Sequence, residues 1–250
     1  MDMSTISAII QARMGSTRLP GKVMKSINGR PMLHWVVSRL QKSRFLTSVV
    51  VATPDTPEND DIEDWCRMES VNCFRGSESN VLDRYYEAAK AHHADQVVRI
   101  TSDCPLIDPH VVDLVILSHL NNYPAPDYTS NTIFRTYPRG LDTEIFPFKS
   151  LEIARKQASD PEHLEHVTPY LYTQCQFKNL SVQNSDDYSH LRLTVDAPED
   201  FSLMTIIYKH FGERFFNWRE AVSFLHSQPD LLEINRHIKQ KKLACEMHSR

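Results

Sequence analysis

The chain has 250 residues, of which 41% are hydrophobic and 24% are charged. This balance is typical of a globular protein and excludes a disordered one. The formal net charge of −4 argues against extensive nucleic-acid binding, which needs a basic face, so any positive charge that matters must be local.

The cysteines and the apolar runs indicate where the protein works. Its five cysteines lie far apart, with no Cys-x-x-Cys pair, so we expect reduced thiols and a cytoplasmic location. The N-terminal residues Met-Asp-Met-Ser do not resemble a signal peptide. No apolar stretch approaches the ~18 residues of a membrane span. Neither a nucleic acid nor a membrane is expected as a partner.

Strand and helix patterns alternate along the first half of the chain. Short apolar runs rich in β-branched residues predict strands at 6–12, 49–53, 71–75 and 96–101. Apolar residues at helical spacing predict helices at 31–40, 60–68, 81–92 and 109–120. This alternation predicts an α/β protein with a mostly parallel sheet covered on both faces.

The pattern changes after Tyr123, where two prolines interrupt it. Polar-apolar segments follow, and we place an inserted arm or subdomain at about 124–190 within a single domain spanning 1–250. Helices are predicted at 149–157, 161–173, 198–211, 217–227 and 230–243, and strands at 180–183 and 191–195.

A cationic loop follows the first predicted strand. It contains Arg13, Arg18 and Lys22 together with Gly15 and Gly21. A buried strand running into a small cationic turn is typical of a phosphate site, because the turn presents backbone N–H groups and positive charge. The spacing differs from that of a Walker A loop. An ordinary basic surface loop remains the alternative.

Two aspartates directly follow predicted strands. Asp103 comes after the strand at 96–101, and Asp196 after the strand at 191–195. A carboxylate at such a point suits Mg²⁺, which takes few protein carboxylates and leaves positions for phosphate and water. The alternative is an aspartate that hydrogen-bonds its own turn, which we prefer for Asp108 ahead of Pro109. The two aspartates can meet at one ion only through folding.

The loop carries a family resemblance. The string Ile-Ile-Gln-Ala-Arg-Met-Gly-Ser-Thr-Arg-Leu-Pro-Gly-Lys at 9–22 resembles the N-terminal signature of cytidylyltransferases of the spore-coat polysaccharide type. That family is similar to the CMP-ketodeoxyoctonate and CMP-sialate synthetases. The resemblance implies the three-layer, Rossmann-like fold of the nucleotide-diphospho-sugar transferases, with a mostly parallel mixed sheet and an inserted dimerisation arm.

Further segments extend the resemblance. Asp103 and Asp196 match the family's two metal-binding aspartates, with Ser102 where glycine is usual. The resemblance implies nucleotide-binding roles for Ala12, Arg13, Gly15, Ser16, Arg18, Lys22, Gly76 and Arg84. It implies roles near the acceptor sugar for Asn80, Arg139, Asp142, Glu144, His166 and Arg192, although the two arginines could equally form surface ion pairs.

The implied reaction is transfer of CMP from CTP to a sugar, with release of pyrophosphate, in surface polysaccharide or glycan biosynthesis. The acceptor would be a ulosonic or nonulosonic acid or a related sugar. Lys22, Arg13 and Asp103 would be catalytic, Mg²⁺ would be the cofactor, and a homodimer is expected. Two alternatives stay open: a nucleotide-sugar-dependent glycosyltransferase, and a non-catalytic nucleotide-binding regulator.

Overall fold

The computed structural model describes residues 4–240. The strands are β1 Ile6–Gln11, β2 Ser26–Ile27, β3 Arg30–Pro31, β4 Ser48–Pro54, β5 Asn72–Gly76, β6 Gln96–Thr101, β7 Tyr128–Ser130, β8 Glu144–Pro147 and β9 Asn179–Ser181. The α-helices are α1 Met32–Leu40, α2 Asp60–Met68, α3 Val81–Ala91, α4 Pro109–Leu120, α5 Phe148–Gln157, α6 Pro161–His166, α7 Pro169–Thr173, α8 Pro198–Phe211, α9 Trp218–Ser227 and α10 Asp230–Glu233.

The main sheet is mixed and mostly parallel. Its strand order is β5-β4-β1-β6-β8-β7-β9. The pairs β5–β4, β4–β1, β1–β6 and β7–β9 are parallel, whereas β8 runs antiparallel to both of its neighbours. The prediction of an α/β fold with a mostly parallel mixed sheet is therefore confirmed.

Side-chain alternation along the strands builds a three-layer structure. Ala8 and Ile10 of β1 enter one core with residues of α1, α2, α4, α8 and α9. Ile9 enters a second core with residues of α3, α5 and α7. Because both faces of the sheet are covered, its strands read as continuous apolar runs and not as alternating ones.

Residues 124–190 are built into this architecture. They contribute β7, β8 and β9 to the main sheet, and α5 and α7 to the second core. The role of this region as an arm between two copies of the chain stays a prediction.

Three secondary-structure predictions were wrong in the second half of the chain. The helix expected over 161–173 is two helices, α6 and α7, because the φ of 71° at Val167 interrupts the helical conformation between them. The strand expected over 191–195 is reduced to a single parallel bridge between Arg139 and Arg192. The helix expected over 230–243 ends at Glu233, and residues 241–243 lie outside the described range.

Two other expectations concern compartment and membrane. Cys66, Cys73, Cys104 and Cys175 are free thiols, as predicted, while Cys245 lies outside the described residues. Across residues 4–240, none of the helices is long and apolar enough to cross a membrane.

Candidate active site

The carboxyl ends of β1 and β6 place the two motif-bearing loops side by side. Gln11 pairs with Thr101 in the parallel register, and the Ser102 N–H donates to the Gln11 carbonyl at 3.2 Å. The cationic loop and the Asp103 segment therefore leave the sheet at the same edge. In open α/β sheets this edge is where ligands bind.

The cationic loop is closed on itself and bonded to Asn59, the residue that precedes α2. The Gly21 N–H donates to the Met14 carbonyl at 3.0 Å, and Gly21 adopts the left-handed conformation, with φ 65°. The Met14 N–H donates to Oδ1 of Asn59 at 2.9 Å. Asn59 is only 3% exposed. The loop is therefore held by a hydrogen bond to a buried side chain, which was not predicted from the sequence.

Lys22 joins the two predicted metal-site aspartates. Its Nζ lies 3.2 Å from Oδ2 of Asp103 and 2.9 Å from Oδ1 of Asp196, and it donates to the Val195 carbonyl at 2.7 Å. Three residues that are distant in sequence thus converge on one point, with side chains that are only 12–25% exposed.

The charges at this point stabilise one another. Burial disfavours the ammonium of Lys22, but Asp103 and Asp196 outweigh burial and raise its pKa above 10.5. Burial likewise disfavours the Asp196 carboxylate, but Lys22, Arg18 and Arg192 together lower its pKa below 3.8. Both groups are therefore charged at neutral pH.

Backbone and hydroxyl contacts fix the two aspartates. The Val195 N–H donates to the Asp103 carbonyl at 2.8 Å, and Thr194 Oγ1 donates to the same oxygen at 3.1 Å. Thr101 Oγ1 donates to Asp103 Oδ1 at 2.5 Å. The aspartates meet because their main chains are tied together and not only because their side chains share a lysine.

The other two loop cations point to different partners. Arg18 approaches Asp196, with Nη2 3.1 Å from Oδ2. Arg13 lies 3.7 Å from Glu165, and its side chain is 48% exposed.

Ala12 is buried at the base of the loop, while Gly15 has open space around it and a φ outside the left-handed region. Ser16 Oγ accepts from the Leu19 N–H at 3.4 Å, a weak contact that keeps this hydroxyl within the loop.

Arg192 is occupied by carboxylates. Its guanidinium donates to both oxygens of Asp200, at 2.8 and 2.9 Å, and to Asp196 Oδ2 at 3.0 Å. Burial opposes its charge, but hydrogen bonds from Arg192 to Asp200 help to raise its pKa. From the sequence, we placed Arg192 near the acceptor sugar or in a surface ion pair. Asp200 accepts from the N–H groups of Asp196 and Ala197, and it also holds Arg192.

Arg84 is a buried cation without a carboxylate partner among residues 4–240. It is 2% exposed, its Nη1 donates to the Ser77 carbonyl at 2.5 Å, and its Nε has no partner. Burial lowers the pKa of Arg84 to about 10. Gly76 leaves it room, since a Cβ there would lie 3.1 Å from Arg84 Cγ. Asn80 caps α3, its Oδ1 accepting from the Asp83 N–H.

The remaining predicted acceptor residues lie in ion pairs or at element ends. Glu144 is 6% exposed and pairs with Arg99, and it accepts from the Tyr128 hydroxyl at 3.0 Å. Asp142 accepts two hydrogen bonds from Arg135, at 2.6 and 2.7 Å.

His166 ends α6, and burial lowers its pKa. Arg139 pairs through its backbone with Leu191 and Leu193.

Nearly all of the sequence matches a known family. The cytidylyltransferase family profile covers residues 7–243. The chain belongs to the cytidylyltransferase family. It is thus a CTP-dependent nucleotidyltransferase, in agreement with the resemblance of its loop.

Relatives of this cytidylyltransferase share most of its length. The spore coat polysaccharide biosynthesis protein SpsF of Bacillus subtilis is 33% identical over 237 residues, covering 91% of this chain and 97% of SpsF. A 3-deoxy-manno-octulosonate cytidylyltransferase of Solibacter usitatus is 27% identical over 243 residues, covering 82% and 94%. The structure of a cytidylyltransferase from Leptospira borgpetersenii superposes with a TM-score of 0.88 at 32% identity, covering 96% of this chain and all of that one.

The donor set of this cytidylyltransferase fits a magnesium ion. Asp103 and Asp196 both reach one point, and Mg²⁺ is usually held by one or two carboxylates, with phosphate and water completing its octahedron. Within the described range, no cluster of three or more His, Cys, Asp or Glu side chains is arranged to hold a metal. Asp103 and Asp196 are the carboxylates at this point that would hold such an ion.

Proposed function

We propose that this cytidylyltransferase transfers CMP from CTP to a sugar at the crevice formed by Lys22, Asp103 and Asp196. The observation that carries the proposal is that carboxylate oxygens of both aspartates lie within 3.2 Å of Lys22 Nζ. A relative named as a 3-deoxy-manno-octulosonate cytidylyltransferase supports a ulosonic or nonulosonic acid, or a related sugar, as the acceptor. SpsF supports a place in surface polysaccharide biosynthesis.

In the proposed reaction, the acceptor hydroxyl oxygen forms the new bond to the α-phosphorus of CTP. The bond between the α-phosphorus and its bridging oxygen breaks, pyrophosphate leaves with the electron pair, and the hydroxyl proton passes to water. Such transfers depend mainly on positioning and charge stabilisation, so no covalent intermediate on the protein is needed.

We assign the residues of the site to two tasks, phosphate binding and metal binding. Lys22, Arg13 and Arg18 bind the β- and γ-phosphates and neutralise the departing pyrophosphate, with Ala12, Gly15 and Ser16 shaping the loop. Arg84 supplies a buried cation next to Gly76 on the same side of the nucleotide. Asp103 and Asp196 would hold Mg²⁺, which when bound neutralises charge on the α-phosphate.

We place the acceptor pocket beside the nucleotide, lined by Asn80, Arg139, Asp142, Glu144 and His166. The ion pairs of Glu144 with Arg99 and of Asp142 with Arg135 would hold these carboxylates rigid for hydrogen bonding to sugar hydroxyls. The homodimer built on residues 124–190 and the cytoplasmic location belong to the same proposal.

Pyrophosphate release tests this function. The protein is incubated with Mg²⁺, each of the four nucleoside triphosphates, and a panel of acidic and amino sugars. Release that requires both CTP and one sugar supports the proposal. Nucleotide binding without release under every condition would indicate a regulator. In a parallel incubation with nucleotide-sugars, release of a nucleoside diphosphate would indicate a glycosyltransferase.

A further inference from the structure

We propose that Arg192, Asp200 and Asn235 form a positioning chain that aims Asp196 at Lys22 and Asp103. Through it, the C-terminal segment 234–240 would set the affinity of the site for a divalent cation. The inference rests on the proposed function of Asp196, and it assigns Arg192 to the support of that aspartate and not to the acceptor sugar.

Asp196 is held from two sides. Its Oδ1 faces Lys22 at 2.9 Å, while its Oδ2 accepts from Arg192 Nη2 at 3.0 Å and lies 3.1 Å from Arg18 Nη2. A carboxylate whose two oxygens are bound by groups on opposite sides cannot rotate without breaking one contact. The planar guanidinium thus fixes the orientation of Asp196.

Asp200 fixes the guanidinium in turn. Its carboxylate has no exposed area and accepts from Nε and Nη2 of Arg192 in a bidentate pair. The same carboxylate accepts from the backbone N–H groups of Asp196 and Ala197, each at 3.0 Å. Asp200 therefore holds both the main chain of Asp196 and the arginine that orients its side chain.

Asn235 closes the chain from the C-terminal side. It is 5% exposed, and its Nδ2 donates to Asp200 Oδ1 at 2.9 Å and to the Arg192 carbonyl at 3.1 Å. Farther along, Gln240 Oε1 accepts from Arg192 Nη1 at 2.5 Å. Two residues of the segment after α10 thus bind the network behind Asp196.

The contacts of Arg192 favour positioning over substrate binding. All three of its guanidinium nitrogens donate to side-chain oxygens, and its side chain is 9% exposed. To reach a sugar carboxylate, the guanidinium would have to leave Asp200 buried and without its main counter-charge, which is strongly unfavourable.

The test measures cation binding apart from turnover. The full-length protein is titrated with Mn²⁺ in the presence of CTP and without acceptor, and free Mn²⁺ is followed by electron paramagnetic resonance. The variants are Asn235→Ser and Arg192→Lys, with Arg236→Ala as the matched control, because the Arg236 side chain is 75% exposed in the same segment. Melting temperatures are recorded for all four proteins.

We expect the Mn²⁺ dissociation constant to rise about 10-fold or more in both variants, as for other groups that orient metal ligands, and to stay unchanged in Arg236→Ala. The Mg²⁺ concentration for half-maximal turnover should rise in parallel, while KM for the acceptor stays the same. If Asn235→Ser does not fold, Arg192→Lys decides the question.

Two results would overturn the positioning chain. One is wild-type Mn²⁺ affinity in both variants. The other is an Arg192→Lys protein in which only the acceptor KM rises, which would return Arg192 to the sugar pocket. Failure of the wild-type protein to bind Mn²⁺ with CTP, or to release pyrophosphate, would instead refute the proposed function itself.

Discussion

The N–H of Val195 donates a hydrogen bond to the carbonyl oxygen of Asp103 at 2.8 Å. This backbone contact joins the loop after β6 to the segment before α8, and it brings Asp103 and Asp196 close enough for Lys22 to bind both. Lys22 then reaches both carboxylates from the cationic loop. The geometry of the site is therefore set first by the main chain and then by charge.

Replacing Lys22 should disable transfer while leaving the fold intact. In Lys22→Ala we expect the rate of pyrophosphate release to fall about 10²–10³-fold, because one preorganised cation is lost where charge develops in the transition state. Lys25→Ala, at an exposed position of the same region, should keep wild-type activity. Comparable rates in the two variants would remove Lys22 from the catalytic role.

The pH dependence of stability should report on Asp200. Burial would raise the pKa of this carboxyl group, but hydrogen bonds from Arg192, from the backbone N–H of Asp196 and from Asn235 lower it below 3.8. The unfolded chain therefore binds the proton at higher pH than the folded chain. This contribution to the free energy of unfolding is complete above about pH 5 and is lost as the pH falls through the folded pKa.

Urea unfolding at pH 7, 5 and 3 checks this dependence. The wild-type protein should lose more stability between pH 5 and pH 3 than Asp200→Asn, whose side chain cannot titrate there. Glu213→Gln, at an exposed position, serves as the control and should follow the wild-type curve. Parallel curves for wild type and Asp200→Asn would contradict the assignment.

Arg84 should matter for nucleotide binding more than for stability. A buried guanidinium with an unpartnered Nε and no carboxylate partner in the described range contributes little to folding, since its desolvation is not offset. In Arg84→Met we expect an unchanged or higher free energy of unfolding and a KM for CTP that is about 10- to 100-fold higher.

The matched control for Arg84 is Lys90→Met, an exposed position of the same helix, α3, which should keep the wild-type KM. Kinetics and urea unfolding are measured on both variants. A strongly destabilised Arg84→Met protein with normal CTP affinity would show that this arginine is purely structural.

Gly140 allows a close approach of two chain segments. Its φ is +105°, and a Cβ there would lie 2.4 Å from the Leu193 carbonyl oxygen. Gly140→Ala should therefore cost about 2 kcal/mol or more of unfolding free energy, through backbone strain and the clash. Gly15→Ala, which meets no atom within 4 Å, should change stability by less than about 0.5 kcal/mol. Equal stabilities of the two variants would show that the segment at Gly140 can move aside.

Local signals in the sequence sufficed for much of the fold. The helices α2 and α8 and the strand β6 lie at the predicted residues. Their ends could be predicted from the spacing of apolar residues and from nearby prolines. The prediction for 191–195 failed because the backbone of this segment bonds to Arg139 at two positions and to Asp103 at one, and not to a long neighbouring strand. The spacing of apolar residues indicates which residues are buried, but it does not indicate which other segment of the backbone lies beside them.

The candidate site also combines residues that the sequence reveals with residues that it does not. Lys22, Asp103 and Asp196 stand in a recognisable motif context, and the structure brings them together. Asn59 and Asn235 have no local signal, since each supports the site through contacts with a distant segment. Supporting residues of this kind become visible only when the chain is folded.

The connection between Asp103 and Val195 also bears on how the protein is made. Lys22 and Asp196 are 174 positions apart in the chain, and the ribosome delivers the N-terminal part first. A nascent chain that stops before residue 196 contains the residues of all seven strands of the main sheet but lacks the second carboxylate. Competence for chemistry therefore arises late in biosynthesis, after every strand of the main sheet has been synthesised.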